Sequence, residues 1–187
     1  LNELSVFQDI KKTVIYNENL YSSIRKYNDV KALMDDVPFA QVDIARFGEE
    51  VDSLNNMVLD LRNSNISPNN PSISLLNDLN QKVDFIVPMV DQLKQLANGN
   101  MKLRHWNRLF DECGVSNLYT KKITINGLSK LGILSQKEKI QTISSSAQNE
   151  SQLETDFSNI KMKWIEVQLP LLDSQAKSED SLLLGDV

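Results

Sequence analysis

The chain has 187 residues, 41% of them apolar, a formal net charge of -5, one histidine and one cysteine. That is enough apolar side chain for a core, built as one elongated domain or as two small helical bundles. The acidic balance without a basic block argues against nucleic-acid binding, the lone cysteine excludes an internal disulfide, and no apolar run approaches the roughly 20 residues of a membrane helix.

In chain order, apolar residues recur from Asn2 to about Asp36 at Leu4, Phe7, Ile10, Val14, Tyr21, Ile24 and Tyr27. With no Gly or Pro to interrupt it, this stretch reads as one long amphipathic helix or two nearly collinear ones. Val37-Pro38-Phe39 breaks the pattern, because residues before proline avoid helical geometry. Asp43 caps a second helix to about Asn63, with Val51, Leu54, Val58 and Leu61 inward, and Asn65 to Asn70 is a polar connection. Pro71 suits the first turn of a third helix carrying Ile73, Leu76, Leu79, Val83 and Ile86. Pro88 predicts a kink, then a second segment to about Ala97 that Asn98-Gly99 ends.

The next run, Met101 to Gly114, holds both His105 and Cys113. Leu103, Trp106, Leu109, Phe110 and Cys113 fall on one helical face, Asn100 is positioned to cap the start, and Gly114 can close the end in a left-handed conformation. This helix is expected to fold back against the one before it. Residues 115–123 read as a loop with a brief extended segment, and Thr124 caps a short helix through Leu131, stopped by Gly132. Ser135-x-x-Glu138 has the form of a capping box. It opens the longest regular pattern: Ile140, Ile143, Ala147, Leu153, Phe157, Ile160, Trp164 and Val167, a near-heptad rod of about 45 Å. Beyond it, Val167, Leu169 and Leu171 alternate with Gln168, Pro170 and Leu172, and Leu182 to Leu184 follow a polar turn. A short β-hairpin is the reading, with Pro170 confining its strand to an edge.

Chemistry-bearing constellations are sparse. The six glycines are scattered singly, so no phosphate-cradling loop has a candidate. One His and one Cys cannot supply a tetrahedral zinc set without carboxylates, and His105 lies two turns from Cys113 on the same helix. Asp35-Asp36 and Glu49-Glu50 read as solvated surface. The sequons at Asn65 and Asn149 are short patterns with a high chance rate, and they conflict with the reducing compartment that a lone cysteine fits. No catalytic, cofactor-binding or metal-binding residue is assigned. Residue chemistry alone reads Arg104-His105-Trp106 as part of a packed core helix with one satisfied imidazole.

That triplet nevertheless resembles the Arg-His-Trp signature of dynein heavy chains, where the tail runs into the linker. Phe85 to Leu93, with its Pro88, resembles the apolar stretch before it. Phe39-Ala40-Gln41-Val42-Asp43-Ile44 resembles the start of the preceding helix, and Ile123-Thr124-Ile125 through Leu131-Gly132-Ile133 the segment introducing the next short one. Ala147, Glu150, Leu153, Ile160 and Trp164 match a long helix ending in tryptophan, and Leu184-Gly185-Asp186 a Leu-Gly step closing a hairpin. The likeness covers roughly residues 39–187.

The resemblance implies a piece of a longer polypeptide, in keeping with Leu1 in place of methionine. The expected organisation is an all-α bundle of long helices with a short terminal hairpin, divided into a tail-side segment 1–66 and a linker-start bundle 67–187. Its implied role is a non-catalytic mechanical element of a microtubule motor, passing force between ATPase ring and tail, with Arg104, His105, Trp106 and Trp164 as structural anchors. Its partners would be the remaining heavy chain with its ring and other dynein subunits, with no cofactor, nucleic acid or membrane. Its place would be cytoplasmic, on the cytoskeleton or in the axoneme. The rival reading is a generic helical tether binding a protein through the Ile140–Val167 seam.

Overall fold

The structure, a computed structural model, describes residues 2–64, 70–115, 122–166, 171–173 and 182–184. Its elements are α1 (Asn2–Asp36), α2 (Ile44–Asn63), α3 (Ser72–Ile86), α4 (Met89–Leu96), α5 (Leu103–Glu112), α6 (Ile125–Lys130), α7 (Lys137–Glu166), β1 (Leu171–Asp173) and β2 (Leu182–Leu184). Two 3-10 turns, Phe39–Gln41 and Ile133–Ser135, join them. The fold is an all-α bundle accompanied by a two-stranded antiparallel hairpin. Leu171 pairs with Leu184 in it, Leu172 with Leu183 and Asp173 with Leu182. The expectations for Val167, Leu169, Pro170 and Asn65 lie outside the described residues.

The chain forms two compact units, Leu1–Gln148 and Asn149–Val187. Residues on both sides of position 66 share the first unit, since α1 packs on α2, α3 and α6, and α2 on α3 and α4. The separation expected at residue 66 is thus not a break in packing.

α1 is a single helix, but its buried face is not the one its first apolar residues suggest. Tyr16, Leu20, Ser23, Val30 and Met34 are buried, with Ile24 and Tyr27 packed beside them. Positions 16, 20, 23, 27, 30 and 34 make a heptad row. Leu4, Phe7, Ile10, Val14 and Tyr21 instead stay at least half exposed. The helix carries apolar rows on opposite faces, and α2, α3 and α6 cover the row that begins at Tyr16.

Elsewhere local chemistry sets the boundaries. Asp43 Oδ1 accepts from the Arg46 N–H at 3.1 Å, capping α2, and Val51, Leu54, Val58 and Leu61 are buried. Gly48 lets α2 approach α4 closely: a Cβ there would lie 3.2 Å from Val90 Cγ1. Asn70 Oδ1 accepts from Ser72 N–H at 2.9 Å, so a residue read as connection in fact caps α3, next to Pro71. Pro88 separates α3 from α4 as expected. α4 packs on α2 and on the Ile133–Ser135 turn, and not principally against α5.

Two expected caps are replaced. Asn100 does not cap α5: it sits in a turn where Asn98 Oδ1 accepts from its N–H at 3.1 Å, and Lys102, two residues on, occupies the cap position. Ser135 does not open a capping box, since its hydroxyl turns back to donate to Gly132 O at 2.6 Å and α7 starts at Lys137. Thr124 does cap α6, its Oγ1 accepting from the Gly127 N–H at 3.1 Å.

Candidate functional site

The region organised around Arg104-His105-Trp106 is built on the first turn of α5. Lys102 has no side-chain acceptor to offer the orphan N–H groups of that turn. His105 supplies it: its Nδ1 accepts from the Lys102 N–H at 3.1 Å, while its own N–H donates to Lys102 O at 3.0 Å. This is the reciprocal half of a capping box with imidazole in place of a carboxylate. An accepting Nδ1 places the ring proton of the neutral tautomer on Nε2. The ring is only 4% exposed, so its polar edge is committed to structure.

Trp106, one residue on, is 5% exposed and meets the Phe39 ring edge-to-face, with centroids 5.7 Å apart and planes at 69°. Phe39 is itself buried in the turn between α1 and α2. Its N–H donates to Ile123 O at 2.7 Å, and Pro38 forms an isolated bridge with Thr124 just before α6. The junction therefore joins three distant parts of the chain: the indole ties the start of α5 to the α1–α2 corner, and the backbone of that corner is tied to the approach to α6. Leu109 and Phe110 continue the same buried face, whereas Leu103, expected there, is 62% exposed. Leu103 is the first residue of the helix, ahead of the turn that faces the core.

The far end of α5 is equally determined. Gly114 adopts φ +73, a left-handed conformation that glycine reaches without a Cβ penalty. Val115 N–H then bonds to Phe110 O at 2.9 Å and Gly114 N–H to Asp111 O at 2.9 Å, the two bonds of a Schellman motif. Lys139 of α7 donates to Glu112 O at 2.7 Å, setting a cation at the negative end of the α5 dipole. Ser144 of α7 donates to Gln95 O of α4 at 3.0 Å. Nearby Cys113 is half-buried, and burial pushes its thiol above the ordinary range, opposite to what a nucleophile needs.

Of the four proposed anchors, His105 and Trp106 come together at this junction. Arg104 faces outward on the same turn. Trp164 is 65% exposed, which corrects the expectation of a buried indole. Its neighbours in the heptad row, Leu153, Phe157 and Ile160, are exposed as well, and among the described side chains of α7 the buried ones are Ile140, Ile143, Ser144 and Ala147. Periodicity marks an apolar row and not what covers it. Phe39 went unmarked as the partner of Trp106 because a three-residue turn has no period to read. Among the described residues, no three His, Cys, Asp or Glu side chains are grouped to hold a metal ion.

A family model described as dynein heavy chain, N-terminal region 2, matches residues 7–187. The chain belongs to the dynein heavy chain family. The match takes in the junction around Trp106 and extends the resemblance from residue 39 back to Phe7 in α1. No curated protein and no solved structure matches. This dynein segment is a helical part of the heavy chain's N-terminal region. Among its described residues no helix is long and apolar enough to cross a membrane.

Proposed function

We propose that this dynein segment is the tail-proximal part of the linker, a non-catalytic lever that carries force between the ATPase ring and the tail of a microtubule motor. The observation that supports it is the unbroken apolar core of the first compact unit, running from Tyr16 on α1 to Ile143 on α7. A lever must resist bending, and interdigitated side chains at crystal-like density provide that resistance. His105 and Trp106 act as anchors, His105 by holding the first turn of α5 and Trp106 by joining that turn to the α1–α2 corner through Phe39. The partners are the rest of the heavy chain with its ring and other dynein subunits, on the cytoskeleton or in the axoneme.

The test uses the heavy chain that carries this segment. Trp106→Phe, which keeps a ring but loosens the junction, should leave microtubule-stimulated ATP turnover near wild type and lower stall force at least about twofold. Unchanged stall force in a folded Trp106→Phe motor overturns the lever role.

A second reading is favoured by one observation, the exposed row Leu153, Phe157, Ile160 and Trp164. Under it the segment is a tether that docks a helical partner on α7, with Trp164 as the central anchor. Phe157→Asp would then abolish partner binding without loss of helicity or motor force.

A further inference from the structure

Between the first half of α1 and the last two turns of α2 lies an open-mouthed cavity of about 560 Å³. Small-molecule sites run from about 300 to 1,000 Å³ and are mostly apolar, with a few polar groups that fix orientation. This cavity has that make-up. Residues four apart share a helical face, so Lys12 and Tyr16 line it together from α1, and Met57 and Leu61 from α2. Ile15 adds to the apolar wall.

Tyr16 is the group that the packing of the chain leaves unexplained. It is 5% exposed, yet its hydroxyl meets no hydrogen-bond partner among the described residues. A buried hydroxyl without a partner has lost its hydration for nothing, and folded chains seldom leave one so. Because Tyr16 lines the cavity, a partner for it can come from an occupant of that space. Burial pushes the phenol above its ordinary range, so it stays protonated and serves as a donor. Ser23, fully buried in the same lining, has already given its proton to Asn19 O at 2.8 Å. Lys12 and Asp60 stand exposed at the mouth with opposite charges, so the site favours neither sign of ligand.

We propose that this cavity is a binding site for a small uncharged molecule with an apolar body and one carbonyl oxygen, which accepts the Tyr16 hydrogen bond. Such a ligand touches α1 and α2 at once and stabilises that pair by mass action. The site is independent of the lever reading, because it uses only side chains of the first two helices.

Acetophenone, which has a ketone oxygen, and ethylbenzene, of similar shape without one, test the site by NMR. The 187-residue chain carries isotope-labelled methionine methyl groups for the titration. Both probes should shift the Met57 methyl resonance and leave that of Met34, which lines a different depression, in place. Tyr16→Phe keeps the ring and should leave far-UV CD unchanged. It should weaken acetophenone by about five- to tenfold, the order of one net hydrogen bond, and ethylbenzene by less than about twofold. Acetophenone that leaves Met57 unmoved overturns the proposal. So does a Tyr16→Phe chain that binds acetophenone as wild type does, or one that loses both probes equally.

Discussion

Replacing Trp106 by alanine removes an indole that is 5% exposed and leaves its space between α5 and the α1–α2 corner. Substitutions of this size in a core cost about 3–5 kcal/mol, lost transfer energy plus the residual cavity. The cavity here cannot readily collapse: the Phe39 backbone is held to Ile123 at 2.7 Å, and the start of α5 is held by His105. The upper half of that range is therefore expected, of which the edge-to-face pair with Phe39 contributes about 0.5–1.5 kcal/mol. Urea denaturation of the purified chain, followed by far-UV CD, should show the midpoint falling by more than about 1 M. A double-mutant cycle with Phe39→Leu should return the aromatic coupling. Trp164→Ala, at a side chain 65% exposed, should change stability by less than about 0.5 kcal/mol. A loss below about 1 kcal/mol for Trp106→Ala, or equal losses for the two tryptophans, would refute the account of the junction.

Three further outcomes follow from single positions. Gly114→Ala must hold a Cβ at φ +73 and should destabilise the chain by about 1 kcal/mol in the same denaturation assay. Gly48→Leu forces a branched side chain against Val90, where even a Cβ sits at 3.2 Å, and should cost about 1–3 kcal/mol. Burial raises the Cys113 thiol, so it should react with iodoacetamide more slowly in the native chain than in urea at the same pH. The sign for stability is set by the same shift. Above the ordinary thiol range the unfolded chain sheds this proton while the folded chain keeps it, so the Cys113 contribution makes stability fall as pH rises. Comparing wild type with Cys113→Ser across that range should flatten the decline.

Features governed by local rules were legible. Asp43, Thr124 and Gly114 announce themselves because a cap is decided within four residues, and Pro88 because it cannot donate or continue a helix. The inward face of α2 was readable because α2 has one apolar stripe. α1 was misread because it has two, and only the packing of α2, α3 and α6 decides between them. Ser135 failed as a cap because a polar side chain that can serve a helix can also serve a turn, and its hydroxyl donates to Gly132. Asn100 failed because the helix starts later, with Lys102 in the cap position. His105 filled the gap left at Lys102, a role that the residue type does not advertise. The exposed outer half of α7 was beyond reach for a different reason: a heptad row has the same spelling whether or not anything lies on it.

The contact between Phe39 and Trp106 also dictates an order of assembly. A ribosome delivers α1 and α2 long before α5, and until Trp106 and Ile123 emerge the corner at Phe39 has neither its ring partner nor its backbone acceptor. The first two helices can zip locally, yet the cooperative core must wait for a stretch made much later, which is the slow step expected of contacts remote in sequence. Released chains ending at Met101 should accordingly be digested by proteases, whereas released chains extending through Ile143 should survive.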